Sequence, residues 1–165
     1  MTQSFLGTIH AIDLESKDHA QALLDLLDQY SRDEMGSGAP LPEGVYLHLI
    51  PRLKKVDTYR GLLAEIDGKY VGLANCFIGF STFKARPLLN IHDLAVSPDA
   101  RGCGVGTALL DAVDWLAEQE GCAFVTLEVR ADNRARNLYL RHGFLPGDPA
   151  TDAMSFWKKP IRSEG

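Results

Sequence analysis

Between Leu94 and Leu110 the sequence LAVSPDARGCGVGTALL carries an apolar segment through a turn holding Gly102, Gly104 and Gly106 and straight into an amphipathic segment. A strand that feeds a helix through such a turn builds an anion site. Glycine lets the backbone approach a phosphate closely, and the free N–H groups of the first helical turn complete the cradle. Spacing excludes two users of such turns. A dinucleotide fingerprint would need Gly where Thr107 or Leu109 stands, and no Gly-Lys-Ser/Thr tripeptide occurs, since Gly68-Lys69 is followed by Tyr70.

The rest of the chain supplies a mixed sheet around this unit. Gly7 to Ile12 alternates as a strand, and Ser16 is placed to cap a helix with Ala20, Leu23, Leu24, Leu27 and Tyr30 on its core face. Met35 to Gly44, with three Gly and two Pro, reads as a surface loop; a short helix is predicted over Val45 to Ile50, ended or kinked by Pro51. Arg60 to Ile66 and Tyr70 to Phe80 read as an antiparallel pair turning at Asp67-Gly68. Leu88 to Ser97 reads as a strand covered on both faces, Gly104 onward as a helix stopped by Gly121, and Cys122 to Val129 as a second buried strand. A short helix over Arg134 to His142 and a last strand over Met154 to Lys158 follow. Antiparallel strands first and a strand–helix–strand unit later imply a mixed α/β fold, with residues 1–165 forming one domain.

Composition excludes several function classes. A net charge of −5 disfavours wrapping nucleic acid, which needs a basic face. No apolar run is long enough to span a membrane, and Met1 to His10 lacks a signal peptide's layout, so a cytoplasmic protein is expected. Cys76, Cys103 and Cys122 show no CxxC spacing and no neighbouring His at ligand spacing, which argues against a disulfide framework and against a metal site.

Arg101-x-x-Gly104-x-Gly106 resembles the R/Q-x-x-G-x-G/A pyrophosphate loop of the GNAT N-acetyltransferases, in its place after an apolar strand and Val-x-Pro. Ala131 to Phe144, ADNRARNLYLRHGF, is similar to the second motif of that family, with Ala135, Leu138, Tyr139, Gly143 and Phe144 in register. One spacing departs: Asn133 precedes Ala135 by two residues rather than three, so Asp132 holds the place of the family's CoA-contacting Asn. The resemblance covers the second half of the chain. It implies a mostly antiparallel central sheet with one splayed parallel strand pair, flanked by helices, and acetyl-CoA as cosubstrate. It also implies acetyl-CoA contacts from Leu94, Ala95, Val96, Arg101, Gly102, Cys103, Gly104, Val105, Gly106, Thr107, Asn133, Asn137 and Tyr139.

Acetyl transfer to an amine needs the amine neutral, and stripping a proton from a group of pKa ~10.4 at pH 7 costs roughly 4.6 kcal/mol. His92 stands where relatives resembling the polyamine acetyltransferases carry a Glu that works through water, and an imidazole's reference pKa of ~6.5 suits that task. Asp93 is the rival base; strand neighbours point to opposite faces, so only one of the two is expected to face the cleft. The resemblance gives polarisation of the thioester carbonyl to the Leu94 N–H and protonation of the departing thiolate to Tyr139. The acceptor, a small-molecule or peptide amine, is not specified, and a homodimer is left open. A catalytically silent acyl-CoA-binding module is the alternative; it would keep Arg101 to Thr107 without needing Tyr139 or His92.

Overall fold

A computed structural model of the chain describes residues 4–146, so the strand expected over Met154 to Lys158 lies outside the described residues. Five strands, β1 (Thr8–Ala11), β2 (Tyr59–Ile66), β3 (Lys69–Ser81), β4 (Arg86–Val96) and β5 (Val125–Leu127), form one sheet in sequence order. Every neighbouring pair is antiparallel except β4–β5, which is parallel. The β2–β3 turn has Asp67 at φ 50° and Gly68 at φ 76°, the two positive values that a tight hairpin needs. Helix α1 (Lys17–Arg32) starts where the Ser16 side chain accepts from the His19 N–H at 3.3 Å.

Alternation along the strands divides the core in two. Leu62, Ala64, Ala74, Cys76, Leu89 and Ile91 face the helix α3 (Val105–Gln119), whose Val105, Leu109 and Val113 pack on them. At Gly72 the helix comes so close that an added Cβ would lie 2.6 Å from Val105 Cγ1. Leu63 and Leu73 face the other way, onto Ala22, Leu23 and Leu26 of α1 and Leu53 of α2 (Glu43–Leu53). Leu63 is fully enclosed, so Leu63→Ala is expected to lower the unfolding free energy by about 2–5 kcal/mol in a denaturant titration.

Two elements differ from their sequence patterns. Helix α2 runs on past Pro51 to Leu53, because the buried Leu53 anchors its last turn in the α1-side core. The second parallel strand is confined to Val125–Leu127 and is only half-buried. Its ladder ends at Ile91↔Leu127, where β4 changes register against its other neighbour.

Candidate active site

That change is a β-bulge. The β3–β4 register runs Asn75↔Asp93 and then Cys76↔Ile91, leaving His92 as the extra residue. Before the bulge Leu89 and Ile91 face α3; after it Leu94 and Val96 do, while Ala95 packs with α1. His92 and Asp93 therefore both fall on the α1 face, so strand alternation does not separate them; of the two, His92 lines the cleft and Asp93 sits behind it. The His92 ring packs on Phe77, centroids 4.8 Å apart, and Asp93 accepts a hydrogen bond from Asn75 Nδ2 at 3.1 Å. Asn75 in turn accepts one from the Tyr59 hydroxyl at 2.8 Å. Burial raises the Asp93 carboxyl above the usual carboxylate range, opposed by the Asn75 hydrogen bond and by nearby His92.

Beyond the bulge, β4 has no partner on its β5 side among the described residues. The Ser97 N–H bonds to the Val71 carbonyl at 2.8 Å, so by antiparallel alternation the Ala95 amide is committed to β3, whereas those of Leu94 and Val96 point toward the open gap. A cleft of about 290 Å³ fills this gap, walled by His92, Leu94, Ala95 and Val96 of β4, by Glu128 to Arg130 after β5, and by Leu138 and Tyr139 of α4 (Arg136–Arg141). Its remaining wall is Leu26, Gln29 and Tyr30 of α1 with Asp33 and Met35 beyond it. Burial, and secondarily the nearby Tyr30, push the Tyr139 hydroxyl up to about 12.

At the end of this cleft lies the glycine turn. Gly104 caps α3 with φ 74° and ψ 8°, a left-handed conformation, and no side chain bonds to the helix start. The N–H groups of Val105, Gly106 and Thr107 thus have no carbonyl behind them within the helix, which fits them to an anion. The glycines and Thr107 do not line the cleft; the turn meets it through Arg101, whose Nη2 donates to Asp33 Oδ2 at 2.9 Å. Gly106 also serves packing, since a Cβ there would lie 2.8 Å from Leu138 Cδ2.

The second motif is arranged differently from its linear pattern. Asn133 lines the cleft, and its Oδ1 accepts from the Ala135 N–H at 2.9 Å, which shapes the turn opening α4. Asp132, in the family's Asn position, is exposed and paired with Arg130 at 2.8 Å. Asn137 is exposed and does not line the cleft, a departure from its expected place; Leu138 and Tyr139 are the α4 residues turned inward. Tyr30 packs on the α1-side core and also lines the cleft, and Asp33, Met35 and Glu128, which carry no local signal in the sequence, reach the cleft only through long-range packing.

A mixed sheet that opens between its two parallel strands, with a glycine-rich turn feeding a helix at the opening, offers a gap for an extended ligand that ends in a phosphate group. The Acetyltransferase (GNAT) family matches residues 20–144, and the chain belongs to that family. It is 32% identical over 126 residues to the uncharacterized N-acetyltransferase YhfO of Bacillus subtilis, covering 76% of this chain and 83% of that protein. Among solved structures it is similar to a probable acetyltransferase, with a TM-score of 0.76 and 21% identity over 95% of this chain and 99% of that one. It is also similar to the aminoglycoside acetyltransferase meta-AAC0020 from an uncultured soil metagenomic sample, solved with sisomicin, with a TM-score of 0.73 and 16% identity over 94% and 97% of the two chains. The family match and the Bacillus relative support acetyl-CoA-dependent acetyl transfer in general terms, and the solved structures show the shared fold.

Proposed function

We propose that the protein transfers the acetyl group of acetyl-CoA to a primary amine of a small molecule or peptide by direct attack, without a covalent enzyme intermediate. The observation that carries this reading is the opening of the sheet at the His92 bulge, which brings gap-facing β4 amides, the His92 imidazole and Tyr139 to one cleft, with Asp93 set behind His92. Acetyl-CoA supplies an activated acetyl thioester. The amides at the start of α3 and the Arg101 turn suit its pyrophosphate, and the gap-facing amides of Leu94 and Val96 suit its pantetheine arm. His92 takes the proton that the amine must lose, and Asp93 behind it is the second candidate for that task. The Leu94 N–H donates to the carbonyl oxygen as charge builds there. The acceptor nitrogen bonds to the acetyl carbon, the carbon–sulfur bond breaks, and Tyr139 presents its proton to the departing sulfur.

A phenol held up to about 12 lies about 5 kcal/mol uphill of full transfer to a thiolate of pKa ~8.5, so Tyr139 acts chiefly by hydrogen bonding as charge develops on sulfur. Tyr139→Phe removes that donor and almost no volume. The expected result is a fall of about tenfold in kcat with CoA affinity unchanged, followed by release of the CoA thiol. An unaltered kcat under conditions where chemistry limits the rate would reduce Tyr139 to a packing residue.

A further inference from the structure

Two residues back along β4 from His92, on the same face, lies Asn90. Its amide is oriented by neighbours on β5 and just past its end. Nδ2 lies 2.9 Å from Thr126 Oγ1 and 3.3 Å from Glu128 Oε2, and because a carboxylate only accepts, the nitrogen must be the end facing Glu128. That leaves Oδ1 facing His92 Nδ1, with which it is hydrogen-bonded. A carbonyl oxygen only accepts, so Nδ1 carries the hydrogen and Nε2 keeps its lone pair.

We propose that Asn90 and Glu128 are positioning residues that fix the His92 ring in the Nδ1–H tautomer, leaving the Nε2 lone pair to receive the proton of the acceptor amine. The proposal rests on the reading of His92 as the proton acceptor. Its logic is that of a base oriented by a third group: the neutral imidazole has one acceptor nitrogen, and the wrong tautomer would present a donor to the amine. The strand geometry gives Asn90 this reach. It pairs with Thr126 in the parallel ladder, one step before the strands part, so it can touch β5 on one side and the bulged His92 on the other. Among the described residues, the titratable and charged groups around His92 are Asp93 on its own strand, Glu128 and Arg130 beyond β5, Tyr30 and Asp33 at the α1 side, and Arg101, Arg134 and Tyr139 on the other walls of the cleft, with Tyr59 and Cys76 of β2 and β3 nearer Asp93.

The test combines nitrogen–proton correlation spectra of the His92 ring in isotope-labelled protein with steady-state kinetics on three variants. The unmodified protein should show the Nδ1–H tautomer. Asn90→Leu should relax it to a mixture and lower kcat roughly tenfold with the acceptor KM within about twofold. Glu128→Gln should show the same change in smaller degree. Asn90→Asp, nearly the same shape, should keep the Nδ1–H form and move the acidic limb of kcat/KM to higher pH, because a carboxylate beside the ring favours the imidazolium. An Nε2–H tautomer in the unmodified protein would overturn the proposal, as would a tautomer shift in Asn90→Leu that leaves rate and pH profile untouched. If the unmodified protein transfers no acetyl group to any amine, the enzymatic reading falls, and with it the proton-accepting part of the proposal; the spectra still decide for or against the positioning.

Discussion

Gly104→Val is expected to raise the CoA dissociation constant at least about tenfold. Gly104 holds φ 74° and ψ 8° at the start of α3, a conformation in which a β-branched residue is strained by about 1–3 kcal/mol. Relieving that strain means turning the backbone, which would redirect the amides of Val105, Gly106 and Thr107 that suit a phosphate group. Gly104→Asn is the control, because Asn tolerates the left-handed region and should preserve the turn. Calorimetric titration of CoA into each variant, with circular dichroism to confirm folding, separates a lost ligand site from a lost fold. A folded Gly104→Val with undiminished CoA affinity would refute the assignment of the phosphate cradle.

His92→Gln should cost roughly a hundredfold in kcat/KM at neutral pH and abolish its acidic limb. The sign follows from the role: a proton acceptor works only when deprotonated, so the rate falls as pH falls through its titration, and glutamine does not titrate. Asp93, whose carboxyl burial raises, would as a base give an acidic limb of its own, so an acidic limb by itself does not name the base. The paired variant does. Should the limb survive in His92→Gln and vanish in Asp93→Asn, the role passes to Asp93. Both must be compared in single-turnover experiments, because slow product release would hide a change in the chemical step.

Legibility in the sequence followed the range of the interactions involved. The Ser16 cap, the Asp67-Gly68 turn and the glycine entry to α3 are set by neighbouring residues, and each stands where local pattern places it. The bulge at His92 has no local signal. It exists because β3 and β4 slip register between Asn75 and Cys76, and it decides at once where β5 stops pairing and which way Asp93 faces. Tyr30 shows the same limit from another side: its helical spacing marks the core face of α1 and it does pack on that core, but spacing alone gives no sign that it also lines the cleft at the open end of the sheet. Asn137 errs the opposite way, sharing a motif with Tyr139 but falling on the exposed side of α4. Asn90 lies on β4 and Glu128 just past the end of β5, and only the parallel pairing of β4 with β5 brings them together.

The central claim is acetyl transfer to an amine, and isotopically labelled acetyl-CoA presented with a panel of amines tests it most directly. The panel should span polyamines, aminoglycosides, lysine side chains and free peptide N-termini. At least one amine should gain labelled acetyl in an amide bond, with one CoA thiol released per acetyl transferred, and His92→Gln should slow this. Tight CoA binding with no labelled amide on any amine would contradict it and would mark the protein as a silent acyl-CoA-binding module.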